Sequence, residues 1–586
     1  MIRNGAVLVI DTILFVISNE SYQIHISRLP EQSTKVYTMR INKILVLIIS
    51  VALLLACSPK AENNSESLKS HADLVGFFSA WRIFASPEIK NGIPDYSAEA
   101  MKKQHAALKS WQTRLNNFDT TGWSIPEQVD WYLLFAEMNG MDFEHRVVRP
   151  WERDPAFYIT FFSEASDVPE REGPTIAGAI DLSTFQLPLS GEAATSITEK
   201  LKLIPAIYEQ AKVNLTGKSR DLWLLGTRSI RAHADELKTF GTGLKEQFPD
   251  LTAATAEAAQ ATLKFADWLE EQRADKNELS GTGKEAYTWN LRNVHLLPFD
   301  WETERALLER ELYRSHSALR FAEHRNRKLP RLEKANEAEA YKNMLTQGTT
   351  EYMDFLKNDE FITIKDYMIP AMMAQIRPFK PNEGLRGFFD EIDHRDPMPM
   401  RAHFYHWMEK AREIKEPVGS PIRQTPLLYN IFDSRAEGFA TAMEELVMNA
   451  GLLKDRPRAT ELIYIMLAQR AARGLGSIYQ HGQEMDFNQA TEYASKWVPW
   501  GLMPADGGTI QHEEHFYIQQ PGYGSSYITG KILIDQLVAE YARQREGRFI
   551  LKEFMDDFTT RGIIPVSLLY WEMTGDKSML NRALGK

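Results

Sequence analysis

A single cysteine in 586 residues, Cys57, is the strongest constraint on what this chain can fold into. No disulfide can close within it, and no set of thiolates can hold a structural metal. A fold of this length must be held by the packing of apolar side chains. The material is present: 44% of residues are hydrophobic, including 13 Trp and 29 Phe, as in ordinary globular chains. The apolar periodicity is helical almost throughout. Leu201, Ile204, Ile207 and Ala211 mark one stripe, Ala261, Phe265, Trp268 and Leu269 a second, and Leu308, Leu312 and Leu319 a third. Strand-like alternation is scarce, and residues 156–162 are its best example. The expectation is a mainly α, multi-helix body.

Cys57 also closes an N-terminal leader. Met39-Arg40-Ile41-Asn42-Lys43 is a short positive region, followed by an apolar run over 44–56 that is too short for an ordinary spanning helix. Leu54-Leu55-Ala56-Cys57 matches the lipobox of bacterial lipoproteins. The expected mature chain begins at Cys57, which carries the lipid anchor, palmitate included. Ser58 stands where an aspartate would retain such a protein at the inner membrane, so the outer membrane, facing the periplasm, is the expected location. Met39 is the expected start, with residues 1–38, which hold a weaker apolar stretch over 6–17, a gene-start artefact. The expected organisation is a leader over 1–56 (signal peptide 39–56), a lipidated cysteine and polar tether over 57–73, and one α-helical domain over 74–586. A polar break at 273–283 divides that domain into lobes of about 74–280 and 281–586. Cys57→Ala is expected to leave the protein unlipidated and to move it out of the membrane fraction. A variant that still sediments with outer membrane and labels with palmitate would defeat the lipobox reading.

Formal net charge is −11, and no basic run is interleaved with aromatics, so no nucleic-acid partner is expected. The membrane, through the lipid, is the expected contact. The chain has no HExxH, no GxSxG, no P-loop and no dinucleotide fingerprint. Chemistry-bearing residues concentrate between His403 and Gly530. His403 and His406, three apart, would share a helix face, as metal ligands or as ordinary helix histidines. Ser434 and Glu437 have capping-box spacing, in which the glutamate reaches back to the N-cap amide. A first-turn glutamate facing a cleft could also ligate zinc. Gly451 suits the position just past that helix. Arg473, Ser477 and His481 share one face of a helix over 460–481. Glu513 and Tyr517 precede a Pro521-Gly522 turn, and Tyr527 follows it. The tyrosines either donate to a developing oxyanion or pack with a bonded tip.

Together these segments resemble a bacterial family catalogued as a domain of unknown function, number 885, some of whose members look like helical zinc metallopeptidases. Gly283-Lys284-Glu285-Ala286-Tyr287 with Leu291-Arg292, Glu437-Gly438-Phe439-Ala440, Arg473 with His481, and Glu513, Tyr517, Pro521, Gly522, Tyr527 and Gly530 fall in the family's register. The resemblance implies a central groove lined by Glu437, His481, Tyr517 and Tyr527, with Glu437, His481, Glu513, Tyr517 and Tyr527 as catalytic candidates. A rearranged site could use His403, His406 and Glu437 as metal ligands. The departures are as informative. The family's His-Glu-x-x-Pro-Gly-His segment is replaced by His403-Phe404-Tyr405-His406-Trp407-Met408-Glu409-Lys410-Ala411-Arg412, without a glutamate after either histidine. The favoured expectation is therefore a metallopeptidase-like scaffold without the usual zinc site and without a cofactor, binding peptides or envelope proteins. The alternative is a zinc-dependent peptidase or hydrolase with a rearranged site, using Glu409 or Glu444 as base.

Overall fold

The computed structural model describes residues 17–18, 21–22, 70–163, 176–244, 247–381, 386–424, 426–430 and 432–586. The lipobox, Cys57 and the tether up to residue 69 lie outside the described residues. The chain divides into two units, Met1–Glu66 and Ser67–Lys586. In the first, Ile17–Ser18 pairs antiparallel with Ser21–Tyr22.

The second unit is mainly α, as the periodicity requires. Its first helix, His71–Ala85, opens with a capping box in which Ser70 and Asp73 satisfy each other's backbone amides. Arg220–Leu244 and Pro249–Glu271 form an antiparallel pair. Gly241 permits their close approach, since a Cβ there would meet the Thr255 side chain at 3.2 Å. One apolar core gathers around this pair, from Ile93 to Leu269. A second draws on residues between 74 and 141 and between 287 and 580. Among the described residues no helix is long and apolar enough to cross a membrane.

Two of the three sequence stripes land wholly inside, while in the other Phe265 and Leu269 are buried and Ala261 and Trp268 half-buried. Leu308, Leu312 and Leu319 are fully buried on Trp301–Arg325. Leu201, Ile204, Ile207 and Ala211 are buried too, but on two helices, Gly191–Leu201 and Ile204–Asn214. The strand expected over 156–162 is absent. Pro155–Tyr158 is a 3₁₀ turn capped by Asp154, and only Phe161–Phe162 is extended, paired with Ile180–Asp181.

Four helices frame the chemistry-bearing region: Asp433–Asn449, Ala459–His481, Gly508–Gln519 and Tyr523–Gln544. Ala459–His481 is apolar on nearly every side, the pattern of a central helix. Its polar residues Arg470, Arg473, Ser477, Gln480 and His481 are buried with it. Asp433–Asn449 crosses Tyr523–Gln544 where Gly438 faces Gly530, and a Cβ on Gly530 would sit 2.0 Å from the Ser434 carbonyl oxygen. That contact lets two backbones touch.

Candidate metal centre

His403 and His406 do not share one helix. Met398–His403 ends at Phe404, and Tyr405–Lys415 starts anew. The break sets the two rings at right angles with centroids 5.3 Å apart. Both turn toward Asp433–Asn449, where Glu437 waits. His406 Nε2 lies 3.2 Å from Glu437 Oε2, and His403 Nε2 lies 3.8 Å from the same oxygen. One ligand atom from each of the three residues lies within 4.8 Å of the other two, and all three residues are buried. Donors of a tetrahedral zinc site stand roughly 3.3 Å apart when each is about 2.0–2.1 Å from the ion. The donor set suits such an ion, and the two histidine–glutamate separations, 3.2 and 3.8 Å, lie near that spacing.

Glu437 is not the capping residue its spacing suggested. The helix begins two residues early, at Asp433, after Phe432 in the left-handed region (φ 52). Ser434 thus lies inside the first turn, and its hydroxyl has no partner among the described residues. The Glu437 carboxylate is drawn instead to the histidines, while Tyr523 donates a 2.6 Å hydrogen bond to its other oxygen. Burial pushes its pKa up, but His406, with His403 and Tyr523, more than offsets this and holds it at about 2. Burial, with Arg470 and His406 nearby, pushes His403 well below its ordinary value. The pair thus offers an anionic oxygen and a neutral imidazole, the forms that bind metal.

Around the trio lies a shell of charge. Arg470 grips Glu444 at 2.7 and 2.8 Å. His403 Nδ1 stands 3.1 Å from both partners, with Arg470 as its in-line donor. Glu444 Oε1 is buried without an in-line hydrogen bond. Donation from Arg470 makes Nδ1 an acceptor and keeps the proton on Nε2. A metal at Nε2 would require that proton to move to Nδ1, with Glu444 Oε1 as its acceptor, the usual carboxylate–histidine arrangement. Arg473 pairs with Glu513, which also accepts a 2.6 Å bond from Tyr517. The Arg473 guanidinium lies over the Tyr517 and Tyr527 rings at 5.5 and 5.2 Å. Burial, with Glu437 close by, holds the Tyr527 hydroxyl protonated, well above its ordinary pKa.

The remaining candidates fall elsewhere. His481 shares the helix face of Arg473 but leads away from Glu437. It stacks on Tyr287 and meets the Tyr517 carbonyl at 2.9 Å, so it positions the Tyr517 backbone. Glu409 is no base here, because both its oxygens are held by the buried Arg435 at 2.5 and 3.0 Å. A cavity of about 460 Å³ opens near the start of the same helix. Asp433 lines it, and Glu437, His481, Tyr517 and Tyr527 do not. Sequence reasoning passed over Arg470 and the bond from Tyr523. The signal for the first was an arginine within an apolar helix, which demands a buried carboxylate.

This arrangement defines a mainly α protein with a buried centre of two histidines and a glutamate where separate helices meet. The chain belongs to the family described as bacterial protein of unknown function (DUF885), whose profile matches residues 79–403 and 421–573. Among solved structures it is similar to a Shewanella oneidensis protein provisionally described as a lipoprotein of unknown function. That likeness has 14% identity and a TM-score of 0.63, covering 86% of this chain and 99% of the other. A protein from Colwellia psychrerythraea, provisionally described as a lipoprotein, is similar at 12% identity and a TM-score of 0.60, covering 88% and 100%. At these identities the likeness is one of fold. The curated proteins give no match.

Proposed function

We propose that this protein is an envelope lipoprotein, anchored through Cys57 to the outer membrane and facing the periplasm, that binds one zinc-class cation at His403, His406 and Glu437. The convergence of three buried donors within 4.8 Å carries the reading. The lipobox supports the anchor, as does the provisional lipoprotein description of both structural relatives. Two histidines and one glutamate are a ligand set of hydrolytic zinc sites, which keep a fourth position for water.

That ligand count, with the protonated Tyr527 beside Glu437, favours a second reading, metal-dependent hydrolysis. Against it stands the commitment of Glu409 to Arg435 and of Glu444 to Arg470. Without a base, hydrolysis forgoes roughly a hundredfold to ten-thousandfold of acid–base assistance. The test is elemental analysis of protein purified without chelator or affinity tag. About one zinc per chain is expected, falling to background in Glu437→Ala. Wild-type protein without metal, even after incubation with zinc, overturns the reading. A peptidase assay with a chelator control separates the two readings. Chelator-sensitive cleavage lost in Glu437→Ala establishes the hydrolase, and metal without cleavage leaves a binding centre.

A further inference from the structure

The cavity beside Asp433 is built from different material. Its volume, about 460 Å³, lies within the range of small-molecule sites. Its walls carry five aromatic residues, Tyr96, Phe143, Trp151, Phe157 and Tyr429, and no lysine or arginine. Tyr96 and Trp151 lie nearly parallel, 17° apart with centroids at 6.5 Å.

The helix Ile125–Phe143 widens into a π-helical turn over Glu144–Val148, which delivers Glu144 to this cavity. Such turns recur at functional sites. The other polar groups of the lining are largely engaged. Asp433 meets His295 Nδ1 at 3.1 Å, and the other His295 nitrogen meets the Pro521 carbonyl at 3.2 Å. Asn290 and Asn430 donate to the carbonyls of Pro521 and Val294. His145 is kept neutral by burial, at about 4. Of the two lining carboxyls, Asp433 pairs with His295, and Glu144 has no hydrogen-bond or ion-pair partner among the described residues.

We propose that this cavity binds a small organic cation, an alkylammonium group that seats against the aromatic walls and pairs with Glu144. Aromatic faces attract ammonium groups through their quadrupole, and a carboxylate supplies the opposite charge. Burial and the neighbouring Glu137 push Glu144 up to about 8, a position that an incoming cation would relieve. A metal ion suits the cavity less well, because the described residues gather three converging donors only at His403, His406 and Glu437. The proposal is independent of metal at that centre.

The test is calorimetric titration of the purified full-length protein with choline and with 3,3-dimethylbutanol, its uncharged isostere. Butylammonium and acetate serve as a second cation and an anion. Choline or butylammonium is expected to bind, and the isostere and acetate to bind at least about tenfold more weakly. Glu144→Gln, nearly isosteric, is expected to weaken cation binding about tenfold or more while unfolding at the wild-type temperature. The wild-type comparison of cation with isostere stands even where the variant misfolds. Equal binding of choline and its isostere, preferred binding of acetate, or no cation binding up to about 10 mM overturns the proposal.

Discussion

Gly530→Ala is expected to unfold the protein at markedly lower temperature and denaturant concentration. An added Cβ would stand 2.0 Å from the Ser434 carbonyl oxygen and 2.8 Å from the Gly438 Cα. Both obstacles are backbone, so no side chain can rotate aside. The helices Asp433–Asn449 and Tyr523–Gln544 would have to part. Overpacking of a tight core costs roughly 1–3 kcal/mol, and a backbone clash belongs at or above the upper end. The same movement would pull Tyr523 from Glu437, whose 2.6 Å bond spans the two helices. Gly243→Ala is the control. That glycine lies on Arg220–Leu244 at an ordinary φ, with nothing within 4 Å of the place an added methyl group would take. It should be neutral or stabilising by up to about 1 kcal/mol. Equal denaturation midpoints for Gly530→Ala and wild type would refute the contact.

The mainly α architecture was legible because burial of one helix face imposes a 3.6-residue period on the sequence. Leu308, Leu312 and Leu319 are such a face, and each is fully buried. The same rule misled at residues 156–162. Phe157, Tyr158 and Phe161 are all buried, so their run reflects a segment surrounded by core, not strand alternation. Asp154 and Pro155 set the 3₁₀ turn, a local choice that hydrophobic patterning does not record.

The metal candidates were legible as residue types but not as geometry. His403 and His406 have the spacing of one helix face, yet the chain breaks between them at Phe404. The break turns their rings perpendicular and lets both approach one carboxylate oxygen. Ser434 and Glu437 have true capping-box spacing, and a two-residue shift of the helix start removed the cap. The left-handed Phe432 caused that shift, a conformation rare for a bulky residue and invisible to propensity. The joining of residues 403–406 with 437 is a tertiary fact. Only the family resemblance pointed to it, and it pointed also to His481, whose ring meets the Tyr517 backbone carbonyl.

The second large effect is expected at Glu444, where stability and metal affinity can be separated. Glu444 and Arg470 are both fully buried and paired at 2.7 and 2.8 Å. Glu444→Leu would strand the Arg470 guanidinium without a counter-charge, a change that costs about 3–5 kcal/mol in buried pairs. Adding Arg470→Met removes the stranded charge and replaces the pair with apolar groups of similar volume. The double variant should recover most of the lost stability. Metal affinity should recover only in part, because the double variant loses the Arg470 donor that opposes the metal-binding tautomer but also lacks the carboxylate that favours it. Zinc on His403 Nε2 requires the proton on Nδ1, and Glu444 Oε1, 3.1 Å away, is the acceptor that favours this tautomer. Arg470 favours the opposite one, because it donates to Nδ1 at 3.1 Å. Loss of such a carboxylate behind a ligating histidine weakens metal binding about 10–100-fold. The decisive measurements are denaturation midpoints and competitive zinc titrations on wild type, Glu444→Leu and the double variant. A double variant that is stable and binds zinc like wild type would reduce Glu444 to a structural counter-ion. A stable double variant with weakened zinc binding would place it behind His403 as the group that orients the ligand.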